Sequence, residues 1–293
     1  MTTIQERFWN FIYEREMMRA RKEGRCQSIP PLPPGVFSRD AVLSRFHFCN
    51  VNREDDRVTR WIDKHVRKVY RKKPLQFMVL QLLACRIFND PNTLEEILPV
   101  KDAKTLRADL KTAERKHGNL LRGAYLMVPH GEGETVPSYF VPAIMAAKQL
   151  LAKSAITYAN CRSLGTIAGL LRDCPGVGPF LANQVCTDLR YVAAKKQWRD
   201  WETFILCGPG TRRGLNRYWG RVVRGPGSRI PEDAYSGEIL RIRETAPKEW
   251  AEVFRDPNNL SNCFCEFDKY QRAMDQIDRG ESPSLKRTYT PYA

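Results

Sequence analysis

The sequence predicts an all-α protein, and three observations carry that reading. Apolar residues recur at i, i+3, i+4 and i+7 along most of the chain. Capping residues, prolines and glycines bracket the periodic runs. Period-2 alternation is scarce, and no internal repeat occurs.

The elements follow in order. Residues 1–24 hold Phe8, Phe11 and Ile12 at helical spacing and end in a basic run at 19–25. Residues 29–35, rich in proline, read as a stiff polyproline-like linker. Pro74 opens a strong helix through Leu75, Met78, Val79, Leu82 and Leu83, which Asn89-Asp90-Pro91 stops. Thr93 and Glu96 are expected to form a capping box for the next helix. Basic residues dominate 101–118, and a loop with Gly and Glu is expected over 129–137. Helices are expected at about 141–153, 163–173 and 179–194. The segment 205–230, rich in Gly and Arg, is expected to be mainly loop, and the polar tail from Asp275 to fray.

The hairpin between two of these helices is the most specific local signal. Cys174-Pro175-Gly176-Val177-Gly178-Pro179 lies between two apolar sets: Leu164, Ile167, Ala168 and Leu171 upstream, and Ala182, Val185, Cys186 and Leu189 downstream. Ser163 is placed to cap the first helix, and Pro179 suits the first position of the second. The glycines permit a tight turn, and the open N–H groups at a helix start attract an anion. The arrangement reads as a helix-hairpin-helix that grips a DNA phosphate; the bland alternative is a Gly-Pro loop. Gly176, Val177 and Gly178, with Lys195 and Lys196 downstream, are the assigned DNA contacts.

Composition agrees with a polyanionic partner. The formal charge is +15, from 48 Lys and Arg against 33 Asp and Glu. The 293 residues can form one large domain or two small ones. Nine cysteines without a C-x-x-C argue against a zinc ribbon or an iron–sulfur loop. Their odd number and an N-terminus without a secretion signal imply reduced thiols in a cytosol. No apolar run approaches membrane length.

Four polar constellations could carry chemistry. In the first, residues 45–56, Phe46 and Phe48 interleave with Arg45, Asn50 and Asp55, a pattern that suits base stacking, edge reading and phosphate binding, or else a packed loop. In the second, Arg86 and Asn89 share a face of an otherwise apolar helix, and a charged Arg there must reach solvent, a carboxylate or a ligand. In the third, Asp200 and Glu202 precede Gly208-Pro209-Gly210 and the pair Arg212-Arg213; the turn should bring a backbone close to something, or it is a capped turn with surface arginines. In the fourth, Glu266, Asp268, Lys269 and Arg272 form plain helix-surface ion pairs, or a carboxylate there orients an Arg of another motif. The four histidines show no metal spacing, and the sequence has no G-x-x-x-x-G-K-[ST], G-x-G-x-x-G or G-x-S-x-G.

A hairpin followed by a carboxylate resembles the DNA glycosylase superfamily. Phe180 stands at that superfamily's catalytic Lys position, and its Asp position falls within 198–202. The closer resemblance is to the phage alpha-glutamyl/putrescinyl thymine pyrophosphorylases, or amino acid:DNA transferases. It rests on Arg45-Phe46-His47-Phe48-Cys49-Asn50, Arg86-Ile87-Phe88-Asn89, Gly208-Pro209-Gly210 with Arg213-Gly214-Leu215, and Cys265-Glu266-Phe267-Asp268-Lys269-Tyr270.

The resemblance implies a two-lobed, glycosylase-like helical fold, expected as an arm and linker (1–72), a core (73–230) and a C-terminal helical segment (231–293). It also implies an activity: the (pyro)phosphate on 5-hydroxymethyluracil in double-stranded DNA is replaced by the amine of an amino acid or polyamine. The implied catalytic residues are Arg45, Asn50, Arg86, Asn89, Glu202, Arg213 and Asp268. Phe46, Phe48, Asp55, Gly208, Gly210, Glu266 and Lys269 are implied to bind substrate. The expected protein is a monomer in the cytoplasm of an infected bacterial host, without cofactor, metal or membrane. A base-excision glycosylase and a non-catalytic DNA-binding module are the other readings.

Overall fold

Helical periodicity is realised as eleven α-helices, with no strand, among the described residues of a computed structural model; those residues are 3–26, 31–33, 35–121, 129, 134–193 and 197–285. The helices are α1 (Ile4–Lys22), α2 (Arg57–Ile62), α3 (Leu75–Phe88), α4 (Pro91–Ile97), α5 (Ala103–His117), α6 (Val136–Ser154), α7 (Leu164–Arg172), α8 (Pro179–Leu189), α9 (Pro209–Tyr218), α10 (Glu232–Glu244) and α11 (Pro257–Asp278). The chain forms two compact units, one of residues 56–206 and one of residues 1–55 with 207–293. These limits do not coincide with the divisions expected after 72 and 230.

The central unit is built on α3. Its sequence is apolar on nearly every face, and only Gln76 and Phe77 escape full burial. It packs against α6 and α8, while α4 pairs with α5 and α7 with α8. Gln81 is tolerated inside because its side chain accepts from Val100 N–H at 2.7 Å. Leu82, Phe88, Phe140, Ile144, Ile167, Leu171, Val185 and Leu189 form the core.

Three boundaries differ from the sequence reading. Asp90, not Thr93, is the N-cap of α4, with Pro91 at its first position. The capping box is absent: Thr93 donates inward to Leu120 O at 3.1 Å, and Glu96 pairs with Lys116 at 2.9 Å. Helix α6 starts five residues before the expected 141, capped by Thr135 and Ser138, with Pro137 in its first turn and Pro142 inside it. Helix α8 ends at Leu189, where Tyr191 and Val192 N–H tighten to three-residue turns.

The discontinuous unit is organised by α11 and α9. Segment 205–230 is loop over most of its length, as expected, but Pro209–Tyr218 within it is helical with Gly208 as N-cap. Its glycines permit close packing rather than a turn: a Cβ at Gly214 would overlap the Phe264 carbonyl, and one at Gly210 the Cys265 sulfur. Phe8 of α1 stacks on Phe264 at 4.2 Å and meets Phe267 and Tyr218 edge-on. The polar tail remains helical through Asp278, where Arg217 of α9 pairs with Asp275 at 2.9 Å. Much of the linker over 29–35 and of the loop over 129–137 lies outside the described residues. Among the described residues no helix is long and apolar enough to cross a membrane.

Candidate functional site

Helix α11 gathers three of the four constellations within the discontinuous unit. Its sequence alternates Phe264 and Phe267, which enter the aromatic core, with Glu266 and Asp268. Both carboxylates are nonetheless buried, at 1% and 0% exposure, so the surface-ion-pair reading of this motif does not hold for them. A buried carboxylate requires donors, and the donors come from the other motifs.

Glu266 accepts the Cys49 N–H at 3.2 Å and pairs with Lys269. Burial acts against the Lys269 ammonium, but Glu266, with Cys49 and Cys265, outweighs it and raises its pKa above the ordinary lysine value. Lys269 is therefore a fixed cation rather than a neutral nucleophile. Arg15 donates to Cys49 O, and Asn262 Nδ2 to Asn50 O at 3.3 Å. The backbone of residues 49–50 is thereby tied to α1 and α11.

Asp268 is the anchor of an arginine group. It accepts from Arg213 Nε at 2.8 Å and Arg217 Nε at 3.1 Å, while Arg272 stands at 3.5 Å. Arg213 and Arg217 are one turn apart on α9, so both reach the same carboxylate. Their side chains keep 30% and 17% exposure, and Arg272 36%. Three guanidiniums around Asp268, with Asp275 the other carboxylate on Arg217, leave a local positive excess that suits a phosphate. Gly208 and Gly210 belong to the start of α9, where Arg212 pairs with Glu232 and donates to Cys207 O at 2.8 Å.

Other residues of the first constellation have different places. Phe46 is 2% exposed and belongs to the core, so it is not a platform for a base. Arg45 is exposed and lies 5.6 Å over the Phe46 ring. Phe48 is half-buried and meets Phe11 edge-on at 5.5 Å. Asp55 pairs with Arg19 at 2.9 Å.

The second constellation belongs to the central unit. Arg86, 2% exposed, neither snorkels nor faces an open site: Asp188 of α8 binds it through both carboxylate oxygens. Thr59 at 3.1 Å and Asn89 at 3.4 Å also accept from it. Asn89 is itself buried and ends α3 in the left-handed region at φ 50°. Asp200 is also committed: it accepts Leu164 N–H and Gly165 N–H, both at 2.9 Å, and the Ser163 hydroxyl at 2.7 Å, which caps α7. Glu202 is half-buried in the following turn.

The two helices and the turn between them form where the spacing placed them. Gly176 has φ +79°, Gly178 is the N-cap of α8, and Pro179 is its first residue. Val177 is buried in the core, so only its backbone could meet a phosphate. Lys195 and Lys196 lie outside the described residues.

The sequence reading passed over a basic run whose signal was present as a charge excess. Arg57, Arg60, Lys64, Lys68, Arg71, Lys72 and Lys73 are all exposed on α2, the π-helical turn after it and the segment leading to α3. It also missed Asp188 and Arg15, which carry no local signal.

A family model described as "5-hmdU DNA kinase, helical domain" matches residues 2–279. No curated protein and no solved structure matches the chain.

Proposed function

The chain belongs to the family of the 5-hmdU DNA kinase helical domain, and from that premise we propose that it is an amino acid:DNA transferase acting on hydroxymethyluracil in phage DNA. Its substrate is a 5-hydroxymethyluracil already phosphorylated or pyrophosphorylated in double-stranded DNA of an infected bacterial cell. The amine nitrogen of an amino acid or polyamine attacks the 5-methylene carbon. The carbon–oxygen bond to the leaving group breaks, and the (pyro)phosphate departs with the electron pair. The ammonium proton passes to a carboxylate or to water.

The observation that carries this reading is the convergence on α11. Three separated motifs meet there, and buried Asp268 holds Arg213, Arg217 and Arg272 where they can neutralise a departing phosphate. Arg45 would join them from its exposed position; Phe48 and Asn50 would hold the flipped base. The hairpin at 173–178 and the exposed basic run would hold the DNA backbone. Arg86, committed to Asp188, acts as a positioning residue in this reading.

The family's description supports a second reading, a module that presents hydroxymethyluracil DNA for phosphorylation. No G-x-x-x-x-G-K-[ST] occurs in these 293 residues to cradle a nucleotide phosphate.

The test incubates the protein with DNA containing phosphorylated 5-hydroxymethyluracil, plus glycine, glutamate or putrescine, followed by nucleoside mass analysis. A nucleoside with the amine joined to the methylene carbon is expected. Labelled phosphate entering unmodified hydroxymethyluracil DNA from ATP would support the second reading instead, and free base with abasic sites would indicate a glycosylase. In Arg213→Ala, unchanged transfer would remove that residue from the chemistry.

A further inference from the structure

The discontinuous unit contains a cavity of about 230 Å³ lined by Arg7, Asn10, Phe11, Glu14, Asp40, Leu43 and Tyr270. The volume is below the range of drug-sized ligand sites and suits a small metabolite. Arg7, Asn10, Phe11 and Glu14 fall at i, i+3, i+4 and i+7, so α1 turns one continuous face to it. Tyr270 closes it from α11 and belongs to the same motif as Glu266 and Asp268.

The charges of the cavity have distinct standing. Glu14 is matched from outside the lining by Arg21 at 2.8 Å and by the Ser38 hydroxyl at 2.7 Å. Among the described lining residues, that leaves Arg7 as cation and Asp40 as anion. Arg7 is oriented by Gln271 Oε1 at 3.3 Å. Asp40 accepts Val42 N–H at 2.9 Å, Leu43 N–H at 2.8 Å and the Tyr270 hydroxyl at 2.7 Å. Burial first, and then Asp40 as acceptor, raise the Tyr270 pKa, so the phenol remains a donor. Three donors thus hold Asp40 in place in the cavity lining, where Asn10 is exposed.

We propose that this cavity binds the amine co-substrate as a neutral α-amino acid zwitterion, its carboxylate on Arg7 and its ammonium on Asp40. The assignment rests on the transferase reading for the word co-substrate, whereas the zwitterion chemistry follows from the lining alone. A matched pair of charges favours a neutral amino acid over putrescine, which has no carboxylate for Arg7, and over glutamate, which carries a surplus negative charge. Phe48, edge-on to Phe11, places the first motif against the same α1 residue that floors the cavity. The ligand would therefore lie beside the motif proposed to hold the base.

The test is calorimetric titration of the full chain with glycine, glycinamide and acetate, using wild type, Arg7→Gln and Asn10→Trp, with circular dichroism to check that each variant is folded. Glycine is expected to bind, while glycinamide and acetate, each lacking one charge, bind about tenfold or more weakly. Arg7→Gln should weaken glycine by a similar factor, and Asn10→Trp should weaken it by obstruction. Equal binding of glycinamide, or glycine affinity unchanged in both folded variants, would overturn the site. Transfer assays separate the two claims. A raised KM for glycine at unchanged kcat in Arg7→Gln supports both. Transfer with a KM indifferent to both variants overturns the cavity and leaves the transferase standing. Glycine binding lost in Arg7→Gln, in a protein that transfers no amine, keeps the site and overturns the transferase.

Discussion

Glu266 accepts the backbone N–H of Cys49 at 3.2 Å, across 217 positions of sequence. One oxygen of a buried carboxylate thus fixes the first motif, while the other holds the Lys269 ammonium.

Glu266→Gln would leave Lys269 without its partner and weaken the acceptor for Cys49. Breaking a buried pair from one side costs more than the pair itself contributes, and Lys269 keeps some solvent access. The expected loss is about 2 kcal/mol in urea unfolding, with Cys49 more readily alkylated in the native state. An unchanged urea midpoint would deny the carboxylate this anchoring role.

Gly214→Ala should be costly because the added carbon meets backbone, the Phe264 carbonyl, which cannot swing away. The expected penalty is about 2–3 kcal/mol, in the range of overpacked cores. Gly210→Ala meets the Cys265 side chain first and should cost less. Parallel thermal melts of both variants check the order.

Arg86 and Asp188 are suited to a double-mutant cycle. Arg86→Met alone strands a fully buried carboxylate and should destabilise by about 3–5 kcal/mol. Arg86→Met with Asp188→Leu should recover most of that loss. Recovered stability with recovered transfer marks Arg86 as structural; recovered stability without transfer would return it to the chemistry.

Stability should fall in alkali. Burial is the main cause that pushes the Cys263 and Cys265 thiols up to about 11, and that of Cys207 to about 12. An ordinary thiol titrates near about 8.5. A group with a raised folded pKa contributes its full stability below the unfolded value and loses it as pH rises towards the folded one. Urea midpoints should therefore be flat with respect to these thiols below pH 8 and decline from about pH 9 to 11. A midpoint unchanged over that window would show that the thiols are accessible.

DNA affinity should depend on salt through the exposed run at 57–73 and the hairpin. Lys64→Glu with Arg71→Glu and Lys72→Glu should weaken binding at every DNA sequence alike. The slope of log K against log salt should fall by about 0.9 for each phosphate that the variant no longer neutralises. Gly176→Ala, at φ +79°, should weaken binding by distorting the turn while leaving the slope from the basic run in place. Filter binding over a salt series checks both, and an unaltered slope in the triple variant would remove the run from the interface.

The sequence alone determined the helical class, the ends of α3, the cap of α7, the turn within 174–179 and the four polar motifs. Each of these depends on residues within a few turns of one another, so periodicity and capping suffice to reveal them. Where glycine stood within a helix, as at Gly210, the same local rules pointed to a loop, because close packing of α9 on α11 is invisible along the chain. Tertiary structure alone decided which charges are buried and what they meet. Glu266 and Asp268 look like surface residues until α9 and the first motif cover them, and Arg86 finds Asp188 only 102 positions away. Asp200, one of two carboxylates open to a catalytic reading, became a helix cap, and Phe46 became core. The physical reason is that burial of a charge selects its partner by distance in space, and spacing in sequence carries no record of a pairing made across the fold.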